Sequence, residues 1–146
     1  MAKYKKVLLA VDFHTDNDLV VARGNEICKE NGADLWLIHI VEPLVVASAV
    51  DSMSNDRKLI DIEELVQKES RSKMEELGDR LSVKPERMLV CRGQPAREIH
   101  AAVEKNDIDL VVLGTHGQSG LQLLLGSTAN SVLHGISCDV LAVRVK

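Results

Sequence analysis

Five short aliphatic runs recur along this chain, each parted from the next by a stretch with helical spacing: Lys5–Val11 (KKVLLAV), Asp34–Val41 (DLWLIHIV), Arg87–Cys91 (RMLVC), Asp109–Leu113 (DLVVL) and Asp139–Val145 (DVLAVRV). A strand with one wet face alternates apolar and polar residues, whereas a near-continuous apolar strand must be covered on both sides. Parallel neighbours also need a crossover long enough to hold a helix. The pattern therefore predicts an α/β fold, a parallel five-stranded sheet with helices on both faces.

The intervening segments read as helices. From Asp16 to Asn31 the inward positions are Val20, Gly24, Ile27 and Cys28, with Thr15 or Asp16 as cap and Gly32 placed for a left-handed C-terminal residue. Leu59, Ile62, Leu65, Val66, Met74, Leu77 and Leu81 mark a long amphipathic helix. Pro95 suits the first position of a third helix carrying Ile99, Ala102 and Val103 inward, and a fourth lies around Ser127–His134. Leu44–Asp56 is the least regular stretch, and the sequence does not choose between a cover over a ligand and a partner surface. No linker breaks the chain, so residues 1–146 are expected to form one domain. Asp34, Asp109 and Asp139 each stand just before an apolar run and read as turn residues rather than a metal site.

Composition excludes several classes. Tyr4, Phe13 and Trp36 are the whole aromatic set, too few and too scattered for a stacking platform for single-stranded nucleic acid. The net charge of -4 argues against a phosphate backbone as partner. No apolar run approaches the roughly 20 residues of a membrane span, and Asp12 interrupts the N-terminal run before it could serve as a signal core. Cys28, Cys91 and Cys138 form no CxxC pair and read as small buried residues of a reducing compartment, so a cytoplasmic location is expected.

Ligands of open parallel sheets bind beyond the carboxyl ends of the strands. That directs attention to Val11 and Asp12, to Ile40, Val41 and Glu42, to Gly93, and above all to the segment that begins GTHG at Gly114 and ends at Gly126-Ser127-Thr128. Glycines let backbone N–H groups approach an anion, and a Gly-Ser-Thr sequence opening a helix adds hydroxyls and the positive end of the helix dipole. Any one of these glycines is explained by a strand exit. Four of them with Ser-Thr, at the ligand end of the sheet, favour a phosphate site.

The set VLLAVDF, LIHIVEP, GQPAREI and GTHG…LLLGSTANSVL…CDVLAVR resembles the universal stress protein family, in order over nearly the whole chain. Family members that bind ATP carry two glycines three apart, then nine residues, then Gly followed by Ser or Thr. Here Gly114 and Gly117 are followed by eight residues and Gly126-Ser127, one fewer. The resemblance implies a Rossmann-like doubly wound sheet of order 3-2-1-4-5 and an adenine nucleotide, ATP or AMP, as ligand, with Mg²⁺ or Mn²⁺ reached only through the nucleotide and Asp12. It places Asp12 near the ribose, the backbone of Ile40 at the adenine edge, and Leu113, Gly114, Gly117, Gly126, Ser127 and Thr128 around ribose and phosphates, and Ala10, Val11 and His116 are counted with them as candidate nucleotide-binding residues. It further implies a homodimer through the last strand, Val140–Val145.

Other sites are not encoded. There is no GxxxxGK followed by Ser or Thr, no GxGxxG after the first run and no GxSxG. His14, His39, His100, His116 and His134 lack metal-ligand spacing; His39 reads as a packed histidine, and His116 as either a phosphate contact or a solvated loop residue. The expectation is a regulatory nucleotide-binding stress protein without catalytic residues. The alternatives are a dimeric interaction module that binds no nucleotide, motivated by the shorter loop, and a slow ATP hydrolase, for which no base or transition-state cation is evident.

Overall fold

The computed structural model describes residues 3–13, 17–42, 56–115 and 127–145, with the backbone alone described at 56–60 and 127. The elements are β1 (Lys6–Ala10), α1 (Asp18–Asn31), β2 (Asp34–Val41), α2 (Asp56–Leu81), β3 (Met88–Arg92), α3 (Pro95–Asn106), β4 (Leu110–Gly114), α4 (Ser127–Leu133) and β5 (Asp139–Val143), with a 3₁₀ turn at Pro85–Arg87. All strands are parallel, in the order β3-β2-β1-β4-β5. Each apolar run thus becomes a strand, and the sheet has the expected doubly wound order.

Strand alternation sorts the core into two layers. Val7, Leu9, Val11, Leu35, Leu37, Leu110 and Val112 face α1 and α2, meeting Val20, Val21, Cys28, Met74 and Leu77. Leu8, Ile38, Val111 and Leu113 face α3 and α4, meeting Ala96, Ile99, Ala102, Val103, Ala129 and Val132. Leu8, Leu9, Leu37 and Ile38 are fully buried; such side chains each contribute roughly 1.5–3 kcal/mol relative to exposure.

Strand starts are tied by the aspartates. Asp109 accepts the backbone N–H of Lys5 at 2.9 Å and of Lys6 at 3.1 Å, so its carboxylate joins the beginning of β4 to that of β1. Asp139 accepts the Tyr4 hydroxyl at 2.7 Å and lies 3.7 Å from the Lys3 ammonium. Asp34 pairs with Arg87 at 3.4 Å. All three sit at the amino edge, away from the ligand end, and act structurally.

Helix ends follow local chemistry. Gly32 takes φ +64° and its N–H bonds the Cys28 carbonyl, ending α1 as expected. Pro95 occupies the first turn of α3, and Asp107, also left-handed, ends it. The start of α1 is described only from Asn17 onward. The helix opens at Asp18 with Asn17 at the cap position, and the Asn17 side chain makes no capping hydrogen bond. Thr15 and Asp16, the expected caps, lie outside the described residues, as do residues 44–55 of the irregular stretch; its last residue, Asp56, opens α2.

Candidate functional site at the carboxyl edge of the sheet

The connections through α1 and α2 stay on one face, and those through α3 and α4 on the other. The strands that diverge are therefore β1 and β4, neighbours in the sheet. In open parallel sheets such a divergence of connections is where a ligand crevice is expected, beyond the carboxyl ends of the two strands. The chain brings Ala10, Val11 and Asp12 to the end of β1, Leu113 and Gly114 to the end of β4, and Ile40 to the end of β2, all on one edge. Ser127 and Thr128 open α4, the helix that follows β4, and Thr128 is exposed. His116, Gly117 and Gly126 lie outside the described residues.

Alternation divides these residues. Ala10 and Ile40 pack toward the α3 and α4 layer, Val11 toward α1 and α2. Gly114 sits between layers under a specific constraint. A Cβ there would lie 3.2 Å from methyl groups of both Val20 and Val145. Close packing alone accounts for this glycine, whatever else it does. Thr115 then ties the two strand ends together: its N–H donates to the Val143 carbonyl at 2.9 Å, and its hydroxyl accepts from the Val145 N–H at 3.4 Å.

Three residues that the sequence pattern did not assign to the site lie around the end of β1 at Val11 and Asp12. The carboxamide of Asn17 takes both backbone groups of Asp12: Oδ1 accepts its N–H at 3.1 Å, and Nδ2 donates to its carbonyl. His39 is buried, and its Nδ1 lies 2.8 Å from the Val11 carbonyl. Phe13 tilts over the imidazole with ring centroids 4.6 Å apart. A packed histidine was the expectation, and packed it is. The available signal was its place, an ionisable residue on the Leu35–Leu37 face of an otherwise apolar run. Asn17 left no comparable trace, because a residue after a strand is ordinarily a helix cap.

Among the described residues no group of three His, Cys, Asp or Glu side chains converges to hold a metal ion. Burial pushes the Cys28 thiol up to about 11 and likewise raises Cys91 and Cys138, which favours the protonated, weakly nucleophilic form of each. Among the described residues no helix is long and apolar enough to cross a membrane.

The sequence pattern of the universal stress protein family matches residues 3–144. Universal stress protein A homolog 2 of Coxiella burnetii is 40% identical over 149 aligned positions, which take in 100% of this chain and 99% of that protein. The chain belongs to the universal stress protein family. Solved structures agree on the fold. The universal stress protein UspA from Lactobacillus plantarum superposes with a TM-score of 0.81 at 21% identity, covering 99% of this chain and 100% of that one. A universal stress protein crystallised in complex with cAMP gives a TM-score of 0.64 at 21% identity, covering 97% of each. This universal stress protein thus shares the Rossmann-like sheet of its relatives from end to end.

Proposed function

We propose that this universal stress protein binds an adenine nucleotide in the crevice between the carboxyl ends of β1 and β4 and acts as a regulatory, non-catalytic homodimer in the stress response. The observation that carries this reading is the placement of Asp12 just after β1 and of Gly114 at the end of β4, adjacent strands whose connections diverge to opposite faces, with the glycine-bearing connection to α4 issuing from that edge. The related fold crystallised with cAMP supports an adenylate as the ligand class. Ala10, Val11 and Asp12 would line the ribose side and the Ile40 backbone the adenine edge. Leu113, Gly114, His116, Gly117, Gly126, Ser127 and Thr128 would surround ribose and phosphates. A divalent ion, Mg²⁺ or Mn²⁺, would be held through the nucleotide's phosphates with Asp12 as the acidic group, since the described residues offer no protein cage.

The same reading takes residues 1–146 as one domain, in the cytoplasm, with the dimer formed along β5. Isothermal titration with AMP, ATP and cAMP, with and without Mg²⁺, tests it. Saturable heat at micromolar protein is the expected result, and no heat from any of the three removes the proposal.

A second reading, an interaction module without nucleotide, is favoured by two observations: the connection is one residue shorter than the ATP-binding pattern, and packing alone explains Gly114. Gly126→Val separates the two. A binder loses its ligand while its dimer survives, and a pure scaffold is indifferent.

A further inference from the structure

We infer that Asn17 and His39 are positioning residues that take the backbone groups at the end of β1 in place of further strand ladder and so fix the direction in which Asp12 leaves the backbone; the ligand half of this inference rests on the proposed nucleotide site. In a parallel sheet each residue turns its N–H and its C=O toward one neighbour, and the next residue turns toward the other. In β1 the odd residues bond toward β2: the Lys5 carbonyl accepts from Asp34 at 2.8 Å, and the Val11 N–H donates to Ile38 at 2.9 Å. The even residues bond toward β4, where the Lys6 carbonyl accepts from Asp109 at 3.0 Å.

Val11 therefore turns its carbonyl toward β2, where the ladder would offer a backbone N–H. What it meets instead is the Nδ1 of His39, at 2.8 Å. Asp12 turns both its backbone groups toward β4, where the Asn17 carboxamide takes them in the manner of a paired strand residue. Two side chains thus stand where two strands would continue. The backbone of β1 stays bonded at the Val11 carbonyl and at both groups of Asp12, where the strand ladders have ended, and no buried backbone group need be left unpaired there. Since a carbonyl only accepts, the His39 ring must carry its proton on Nδ1. Phe13, tilted on that ring, holds its plane.

Asn17 and His39 reach the ligand through Asp12, so the test must separate positioning from packing. Asn places a donor nitrogen three bonds from Cα, as the Nδ1 of His does, whereas Leu keeps apolar volume and offers no donor. With AMP as probe, His39→Leu and Asn17→Leu are each expected to bind roughly tenfold more weakly than the natural chain, the scale of one hydrogen bond lost. His39→Asn should stay within about threefold. A merely structural role reverses the histidine order, because Leu fills the buried site better than Asn. In the unaltered protein the side-chain ¹⁵N shifts of His39 should report the Nδ1–H tautomer, and the Asp12 amide should be protected from hydrogen exchange.

A His39 ring without a proton on Nδ1, an unprotected Asp12 amide, or AMP affinity equal in the natural chain and both Leu variants overturns the inference while the proposed function stands. Should the natural chain take up none of AMP, ATP and cAMP, the proposed function falls and carries the ligand half with it. The tautomer and exchange measurements need no ligand and no variant, so they decide the structural half even where a Leu variant does not fold.

Discussion

A single atom decides what two positions tolerate. At Gly114 the space for a methyl group is bounded by Val20 on α1 and Val145 beyond β5, each 3.2 Å from where it would sit. Gly114→Ala must push both valines a few tenths of an ångström, an overpacking expected to cost about 1 kcal/mol and lower the melting temperature by about 3 °C. A thermal melt checks it, and an unchanged midpoint would show that both neighbours give way freely. Cys28 makes a different demand. Burial first, and the Asp34 carboxylate second, push its thiol from 9.0 up to about 11. Between those two values the native thiol keeps a proton that the unfolded chain has lost. This contribution to stability is therefore complete below about pH 9 and is lost as the pH rises toward about 11. Urea midpoints measured across that range should fall with pH, and part of the fall should vanish in Cys28→Val. Equal slopes in the two proteins would show that Cys28 does not titrate in this window.

At the scale of elements, what the sequence revealed depends on whether the signal lay in one residue or in the use made of it. The run DLWLIHIV became β2 with the expected bounds, because a strand covered on both faces has nothing but its ends to mark it. Gly32 likewise read correctly: φ +64° suits a residue without Cβ, and the glycine hydrogen bond to Cys28 closes the helix. Nothing lies within 4 Å of a Cβ built there. Gly32→Ala therefore isolates the cost of the left-handed backbone, about 1 kcal/mol, which a denaturant titration should show as a lower midpoint at unchanged slope. The start of α1 was not legible in the same way. Capping residues are recognised by type, but Asn17, beside the helix start, gives its carboxamide to the backbone of Asp12 instead, and Thr15 and Asp16 lie outside the described residues. The same substitution of roles hid half of the candidate site. Asp12, Ile40 and Gly114 could be placed because strand ends are visible in the hydrophobic pattern. His39 and Asn17 could not, since their roles exist only after β2 and β4 part from β1. His116, Gly117 and Gly126, the other half of the glycine pattern, lie outside the described residues, so their part in the site still rests on the sequence.

The whole molecule has two edges to its sheet, β3 and β5, and a parallel apolar edge strand is a template for pairing. On β5 the hydrogen-bonding direction of each residue follows from Thr115, whose N–H reaches the Val143 carbonyl. Val143 therefore turns toward β4, and by alternation Ala142 turns its N–H and carbonyl outward from the sheet. In the proposed homodimer the outward groups of β5 meet those of a two-fold mate, closing an edge that would otherwise stay open. Ala142→Pro tests this with little disturbance elsewhere, because it removes an N–H that the ladder to β4 does not use. Sedimentation at micromolar concentration should give a dimer for the natural chain and a monomer for the variant. Melting temperature should depend on concentration only in the natural chain, since association stabilises by mass action. A natural chain that sediments as a monomer, or a proline variant that remains paired, would place the contact elsewhere or remove it. Nucleotide binding measured on the monomeric variant then asks whether the crevice between β1 and β4 is complete within one chain, as residues drawn from β1, β2, β4 and α4 of a single protomer require.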